Sequence, residues 1–353
     1  MKNIFIIIPS FEPTGPIKGA IALANYLVNY RDVTIVTVKN NFEVMNDLDK
    51  RVKTETLGNS KNIFSQISAY KKILKGSGSR KDVASISLCF SADFVNLFCK
   101  QEAFTCASVR GNLINIYRMD NGIFGLPLAI IHLISLFQFN EVVSMSNHMR
   151  KQIKFYSRKE SKVIGNFIDE FKINKFRNKE KPRNGIKKFI FVGVLNKRKN
   201  PILLLNTLKK ISDLGHNITL DILGDGPLMD SILKEIEVLN LEKIVKVHGH
   251  VSSPYKLISE SSVFVLPSEA EGTSRASLEA LHLGIPCILR NIDGNSELIK
   301  DGVNGFLFKR DNDLLDAMLK SMNFSNSHLD RESLLPKFYR QEECGKAYLE
   351  LLE

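Results

Sequence analysis

Short apolar runs rich in β-branched residues recur along the chain, and a stretch of helical periodicity follows many of them. In the first half the runs are Asn3–Ile8, Val33–Thr37, Ser85–Cys89, Phe104–Val109 and Glu141–Ser144, with helical patterns such as Gly19–Asn29 between them. This alternation constrains the fold more than any other feature. Parallel strands need a crossover, and the crossover helices cover the sheet, so its strands read as continuous apolar runs. A second series follows, with strands at Lys188–Val192, Thr219–Leu223, Val245–His248, Val263–Leu266 and Pro286–Leu289. Its helical stretches are Pro201–Leu214, Leu228–Leu239, Pro254–Glu260 and Arg275–Leu283. The polar stretch Lys172–Asn184, interrupted by Pro182, reads as the linker. The expected fold is α/β, two Rossmann-like doubly wound domains facing a cleft. Residues 1–180 form the first and 181–353 the second, with the last helix able to pack back on the first. Sheets of this kind bind ligands at the carboxyl ends of their strands.

A chain of 353 residues suits two domains of ordinary size. The net charge is +11, and all of the surplus lies in the first half: 26 Lys and Arg against 15 Asp and Glu in residues 1–180, and 23 against 23 in the rest. A basic face of this kind serves solubility, or it meets an anionic partner such as phospholipid headgroups or a lipid phosphate. Nucleic acid ranks below these, because Trp is absent and no basic motif is interleaved with aromatic residues. Cys89, Cys99, Cys106, Cys287 and Cys344 lack metal-ligand spacing and read as free thiols of a reducing, cytoplasmic compartment. The run Ile4–Ile8 is too short for a signal peptide and is cut by Pro9. Residues 121–140 contain no Asp, Glu, Lys or Arg, but they do contain Gly, Pro, His, Ser, Gln and Asn. They read as a buried or interface-lying helix rather than a span.

The window from Pro267 to Ala280 carries the most chemistry. A strand ends at Pro267, Glu271 and Gly272 form a short loop, and hydroxyl residues Thr273 and Ser274 cap a helix. Gly272 lets backbone approach a ligand closely. The N–H groups of Thr273, Ser274 and Arg275 point at that ligand, and a helix N-terminus favours negative charge, so a diphosphate fits. Glu279 follows about 7 Å along the helix axis at 1.5 Å per residue. Two carboxylates so placed can hold hydroxyls at the two ends of one ligand. Solvated acids are the plainer reading of two Glu residues, but the capped helix and the following Gly284-Ile285-Pro286 weigh against it.

This window resembles the Glu-x7-Glu signature of retaining glycosyltransferases of family 4, also called glycosyltransferase group 1, which have the GT-B fold. The blocks Phe191–Pro201, Leu223–Pro227, Val247–Val251, Val163–Asp169 and Asp293–Phe308 are similar to further blocks of that family. The resemblance implies that Lys199 neutralises the donor diphosphate beside Gly193. It implies that Glu271 and the N–H groups of residues 272–275 contact the transferred sugar, that Glu279 holds the ribose and that backbone near Val251 meets the base. Where the family often has Arg after the first glycine of the Phe191–Pro201 block, this chain has Val194. Arg198 or Arg275 can compensate, although a solvated surface charge is the simpler reading of Arg198.

In the first half, the loop Pro9–Gly19 resembles the family's first loop, with Gly15 placed to let backbone approach the diphosphate. Pro and Gly also suit a plain turn. At Ser108–Asn112 many relatives have a His facing the reacting centre, and this chain has Arg110. An Arg here binds a leaving or acceptor phosphate bidentately, or makes a structural ion pair. None of the seven His is well placed by motif, and His248 and His250 read as structural. The pair Asp47 and Asp49 has metal-binding spacing but sits in a polar stretch and reads as solvated.

The resemblance implies a retaining, metal-independent transfer of a hexose or N-acetylhexosamine from a nucleotide sugar, UDP-sugar first. The acceptor is a glycan or lipid-pyrophosphate-linked saccharide of cell-surface polysaccharide, such as O-antigen or capsule. The basic first half and the uncharged segment imply peripheral contact with the anionic inner face of the cytoplasmic membrane. Two rivals remain open: a GT-B-like nucleotide-sugar epimerase, which releases epimerised product without an acceptor, and a non-catalytic nucleotide-sugar-binding protein, to which Val194 points.

Overall fold

A computed structural model describes residues 1–40, 43, 46–58, 62–177, 186–292, 294–324 and 332–353. Part of the expected linker, residues 178–184, and Asp293 lie outside the described residues. The chain divides into two compact units: Met1–Ile168 with Lys337–Glu353, and Asp169–Pro336. The division thus falls ahead of residue 180, and the final segment belongs with the first unit. In chain order the helices are α1 (Gly15–Leu27), α2 (Ile63–Gly76), α3 (Phe90–Leu97), α4 (Leu113–Asn121), α5 (Gly125–Ser135), α6 (Asn147–Ser157) and α7 (Glu170–Asn174). Then come α8 (Pro201–Asp213), α9 (Met229–Val238), α10 (Tyr255–Ser259), α11 (Arg275–His282), α12 (Asn295–Leu298), α13 (Asp313–Met322) and α14 (Gln341–Leu351).

Among the described residues the first unit has a seven-stranded parallel sheet in the order β3-β2-β1-β4-β5-β6-β7. Its strands are β1 (Asn3–Ile8), β2 (Asp32–Thr37), β3 (Lys53–Thr56), β4 (Val83–Leu88), β5 (Phe104–Val109), β6 (Glu141–Ser144) and β7 (Lys162–Val163). β1 is central and apolar on both faces because both are covered. Ile4, Ile6 and Ile8 join α1 and Tyr348 of α14 in one core. Phe5 and Ile7 join Tyr70 of α2 and Val95 of α3 in another. The tail is fixed by polar contacts too: Tyr348 and Ser108 share a hydrogen bond of 2.7 Å. β3 is polar and fully exposed, so no apolar pattern announces it.

The uncharged segment 121–140 is not one helix. α4 ends at Asn121, 3₁₀ turns occupy Gly122–Phe124 and Leu136–Gln138, and α5 lies between them. Gly122 sits at φ +59°, and a Cβ on Gly125 would lie 1.9 Å from the Tyr117 carbonyl oxygen. The two glycines thus let α5 fold back tightly on α4. Among the described residues no helix is long and apolar enough to cross a membrane.

The second unit has a six-stranded parallel sheet in the order β10-β9-β8-β11-β12-β13 among the described residues. Its strands are β8 (Lys187–Val192), β9 (Ile218–Leu223), β10 (Val245–Val247), β11 (Val263–Leu266), β12 (Cys287–Arg290) and β13 (Gly305–Phe308). The chain starts at β8, winds outward through β9 and β10, then returns to β11 on the other side of β8. The direction of winding therefore reverses between β8 and β11. In sheets of this kind ligands bind at such a reversal, outside the carboxyl ends of the strands.

Candidate functional site

The loop after β8 is shaped by its neighbours. Gly193 N–H donates to the Leu223 carbonyl at 3.0 Å, and Leu195 N–H to the Asp225 carbonyl at 2.9 Å. Gly224 sits at φ +145°, and a Cβ there would lie 1.8 Å from the Gly193 carbonyl oxygen, so only glycine fits. By contrast a Cβ on Gly193 would make ordinary contact, 3.6 Å from Lys199 Cε. Asn196 then caps the single turn Lys197–Lys199, its side-chain oxygen accepting from Lys199 N–H at 3.0 Å. Asn200 turns the chain at φ +49° and Pro201 opens α8. The result is a rigid turn that holds Lys199 with only 9% of its surface exposed.

The loop after β11 comes to meet it. Glu269 N–H donates to the Arg198 carbonyl at 2.8 Å. Arg198 Nη1 donates to the Ala270 carbonyl at 3.0 Å and lies 3.4 Å from Glu271 Oε1. Lys199 Nζ makes a short, buried ion pair with the same Glu271 oxygen. Two cations thus converge on one carboxylate at the reversal point of the sheet. Burial pushes the Glu271 carboxyl up, but the charges of Lys199 and then Arg198 outweigh burial and hold it below the ordinary glutamate range. Glu271 is therefore an ionised acceptor at neutral pH and has no proton to give. Arg198 is thus not the solvated surface charge of the simpler reading. The β11 loop carbonyl and Glu271 draw it in, whereas Val194 is exposed and takes no part.

Next to Glu271 the helix α11 begins. Ser274 is its N-cap and accepts from Ser277 N–H at 3.4 Å. Gly272, Thr273 and Ser274 are buried. The backbone of Gly294 presses on this loop, since a Cβ there would lie 2.0 Å from the Gly272 carbonyl oxygen. Arg275 reaches along α11 to Glu279 at 3.6 Å, one turn on. Val251 is half-buried just beyond β10, where Gly224 N–H donates to the Gly249 carbonyl at 2.8 Å. Gly193, Arg198, Lys199, Glu271 and the start of α11 are therefore gathered at the reversal point, and Val251 lies beyond the end of a neighbouring strand.

The two candidates of the first unit stand at strand ends of their own sheet. Gly15 opens α1 after β1, with open space where a Cβ would be, and Thr14 provides no side-chain cap. Arg110 follows β5. Its Nη1 donates to Asn166 Oδ1 at 3.2 Å, while Nε and Nη2 are buried without a hydrogen-bond partner among the described residues. No carboxylate among the described residues pairs with it, so the structural ion pair is not found.

Several supports escaped the sequence reading. Asn196, Gly224 and Gly294 shape the loops that carry the site. Arg290 is buried, pairs with Asp311 at 2.7 Å and reaches the Pro267 carbonyl at 3.4 Å, which fixes the end of β11. His248 is engaged by Asp221 at 2.8 Å, as a structural role requires. Asp49 is held to about 2 by hydrogen bonds from Arg51. A depression of ≈ 580 Å³ lined by Met1, Lys2, Val28, Tyr30, Arg31 and Asp32 lies at the amino ends of β1 and β2, the wrong end of the sheet for a ligand of this fold.

Both sheets are parallel and doubly wound, and the chain has the two-domain α/β fold of GT-B glycosyltransferases. Residues 172–328 match the family described as Glycosyl transferases group 1. Among curated relatives, the Escherichia coli UDP-Gal:alpha-D-GlcNAc-diphosphoundecaprenol alpha-1,3-galactosyltransferase is 38% identical over 160 residues, covering 42% of this chain and 41% of that protein. The match thus spans less than half of that relative's length. Among solved structures, a TarM mutant of S. aureus in complex with fondaparinux, alpha-GlcNAc-glycerol and UDP aligns at a TM-score of 0.78 with 15% identity, covering 100% of both chains. HepE of Anabaena in complex with UDP and glucose aligns at 0.78 with 16% identity, covering 100% of this chain and 99% of that one.

Proposed function

We propose that the chain is a glycosyltransferase that moves a hexose or N-acetylhexosamine from a UDP-sugar to a glycan or lipid-pyrophosphate-linked acceptor of cell-surface polysaccharide, with retention of configuration. The observation that carries this reading is the buried Lys199–Glu271 pair with Arg198 beside it, on the two loops where the second sheet reverses. Buried ion pairs contribute little net stability, so a fold gains little by keeping one at a ligand crevice. A donor gives the pair a use. Its diphosphate takes Lys199, Arg198 and the N–H groups of residues 273–275, and the sugar hydroxyls donate to ionised Glu271. Glu279 holds the ribose.

The acceptor oxygen bonds to the anomeric carbon as the bond from that carbon to the diphosphate oxygen breaks. The acceptor proton passes to the departing diphosphate. Negative charge grows on the leaving group, and the fixed cations and N–H groups stabilise it without reorganising. No step requires a metal. In the first unit, the unpaired guanidinium edge of Arg110 suits a leaving or acceptor phosphate. The diphosphoundecaprenol in the name of the E. coli relative supports a lipid-linked acceptor. With it goes peripheral contact of the basic first unit with the inner face of the cytoplasmic membrane.

A thermal-shift panel tests the donor class. A ligand that binds only the folded state stabilises it by about 2.7 kcal/mol at a hundred times its dissociation constant. UDP and UDP-sugars are expected to raise the melting temperature by several degrees, equally with and without EDTA. Orthophosphate and adenosine are expected to leave it unchanged. Stabilisation by UDP that vanishes in EDTA removes the metal-independent reading. No response to any nucleotide diphosphate removes the donor site.

A further inference from the structure

The first unit carries an apolar surface that its own fold does not use. Ile123 and Phe124 are each 81% exposed, Ile131 60% and Phe137 63%. They lie along the 3₁₀ turns and α5, whose other face is in the core through Ala129, His132 and Leu133. A helix apolar on all sides is normally buried on all sides. α5 is covered on one side only. A second row is formed by half-exposed Phe90 and Phe94 of α3 and Phe98 just past its end, at four-residue spacing with ring centroids 6.2 and 5.5 Å apart. Phe90 stands edge-on to His132 on the buried side of α5 at 5.1 Å, so α3 packs beside α5. Large apolar side chains exposed together along one helix and its flanking turns mark an interaction site.

Beneath it the packing is fixed. His132 Nε2 and Asp93 Oδ2 are 3.0 Å apart, Tyr117 bonds to the other ring nitrogen at 3.1 Å, and Ser87 donates to Asp93 at 2.6 Å. This buried chain ties α3, α4 and α5 together without the exposed residues. The neighbours of the patch are basic. α6 packs against α5 and exposes Arg150 and Lys151, and α4 exposes Arg118 at its last turn.

We infer that this face is where the protein enters a membrane: the exposed side of α5 and its flanking turns inserts among the acyl chains of an anionic bilayer, with Arg118, Arg150 and Lys151 on its headgroups. The inference rests on the peripheral membrane contact proposed above and assigns the surface that makes it. Charge complementarity selects the occupant. Segment 121–140 has no Asp, Glu, Lys or Arg of its own, and the helices packed on it expose Arg118, Arg150 and Lys151. A second copy meeting the same face about a twofold axis brings like-charged borders together. An anionic interface takes both the apolar line and its basic border.

The test uses the full chain, vesicles of phosphatidylcholine with or without an equal part of phosphatidylglycerol, and the triple variant Phe124→Ser, Ile131→Ser, Phe137→Ser. All three side chains are exposed, so the variant is expected to keep its melting temperature and its response to UDP. The wild type is expected to co-sediment with the anionic vesicles at low salt and to retain part of that binding at high salt. The triple variant is expected to bind at least about tenfold less. Equal binding by variant and wild type overturns the assigned face while membrane contact stands on charge alone. A wild type that ignores anionic vesicles at low salt overturns the membrane contact itself. A wild-type dimer that the triple variant breaks, with no vesicle binding, makes a second copy the occupant and overturns the inference.

Discussion

Replacing Glu271 by Gln is expected to lower sugar transfer at least about 100-fold while the protein stays folded. Gln fills the same space and keeps an oxygen toward Lys199 and Arg198, so the loop after β11 retains its place. What it loses is the negative charge. In the proposed reaction that charge accepts hydroxyls of a sugar whose anomeric carbon becomes electron-poor as the diphosphate departs. Losing one aimed polar group of this kind typically costs on the order of 3 kcal/mol in the transition state. Initial rates of transfer from a UDP-sugar, measured beside the melting temperature, check this. Activity within a few-fold of wild type removes Glu271 from the chemistry.

Replacing Lys199 by Ala is expected to lower stability as well as turnover. Glu271 is buried, and removing its ammonium partner leaves the charge with Arg198 alone. Breaking a buried pair by deleting one partner typically costs about 3–5 kcal/mol, and Arg198 at 3.4 Å keeps this case near the low end. The pH dependence identifies the cause. The Glu271 carboxyl lies below its ordinary range in the folded protein, so its contribution to stability is full above the unfolded value of about 4.3. That contribution is lost as pH falls through the lower folded value. The deficit of Lys199→Ala against wild type is therefore expected to be full at neutral pH and to shrink in acid as the Glu271 carboxylate is protonated. Denaturant unfolding at a series of pH values measures it. A deficit independent of pH contradicts the charge account. Adding Glu271→Gln to Lys199→Ala is expected to restore most of the stability and none of the turnover.

The second sheet was legible in the sequence because its central strands are largely buried on both faces and so appear as mostly apolar runs. β8, β9 and β11 stand close to where the pattern put them. β3 was not legible, since its exposed Lys-Thr-Glu-Thr carries no apolar signal and forms only because β2 offers it an edge. β7 is too short to show a period. The reversal between β8 and β11 is a property of strand order, which no local pattern contains. It explains why Lys199 and Glu271, 72 positions apart, meet. The place of Arg198 was misread for the same reason, because its partners are on the loop after β11 rather than near it in sequence. The role of Gly224 follows from a carbonyl of Gly193 that comes near only after β8 and β9 pair.

The central claim is that the loops after β8 and β11 hold the donor diphosphate. A crystal structure of the protein with UDP tests this most directly. The diphosphate is expected within hydrogen-bond distance of Lys199 Nζ and of the N–H groups that open α11, with Glu271 released from Lys199 and turned toward the sugar position. UDP bound elsewhere, or bound with the Lys199–Glu271 pair still closed and the phosphates out of its reach, contradicts the account.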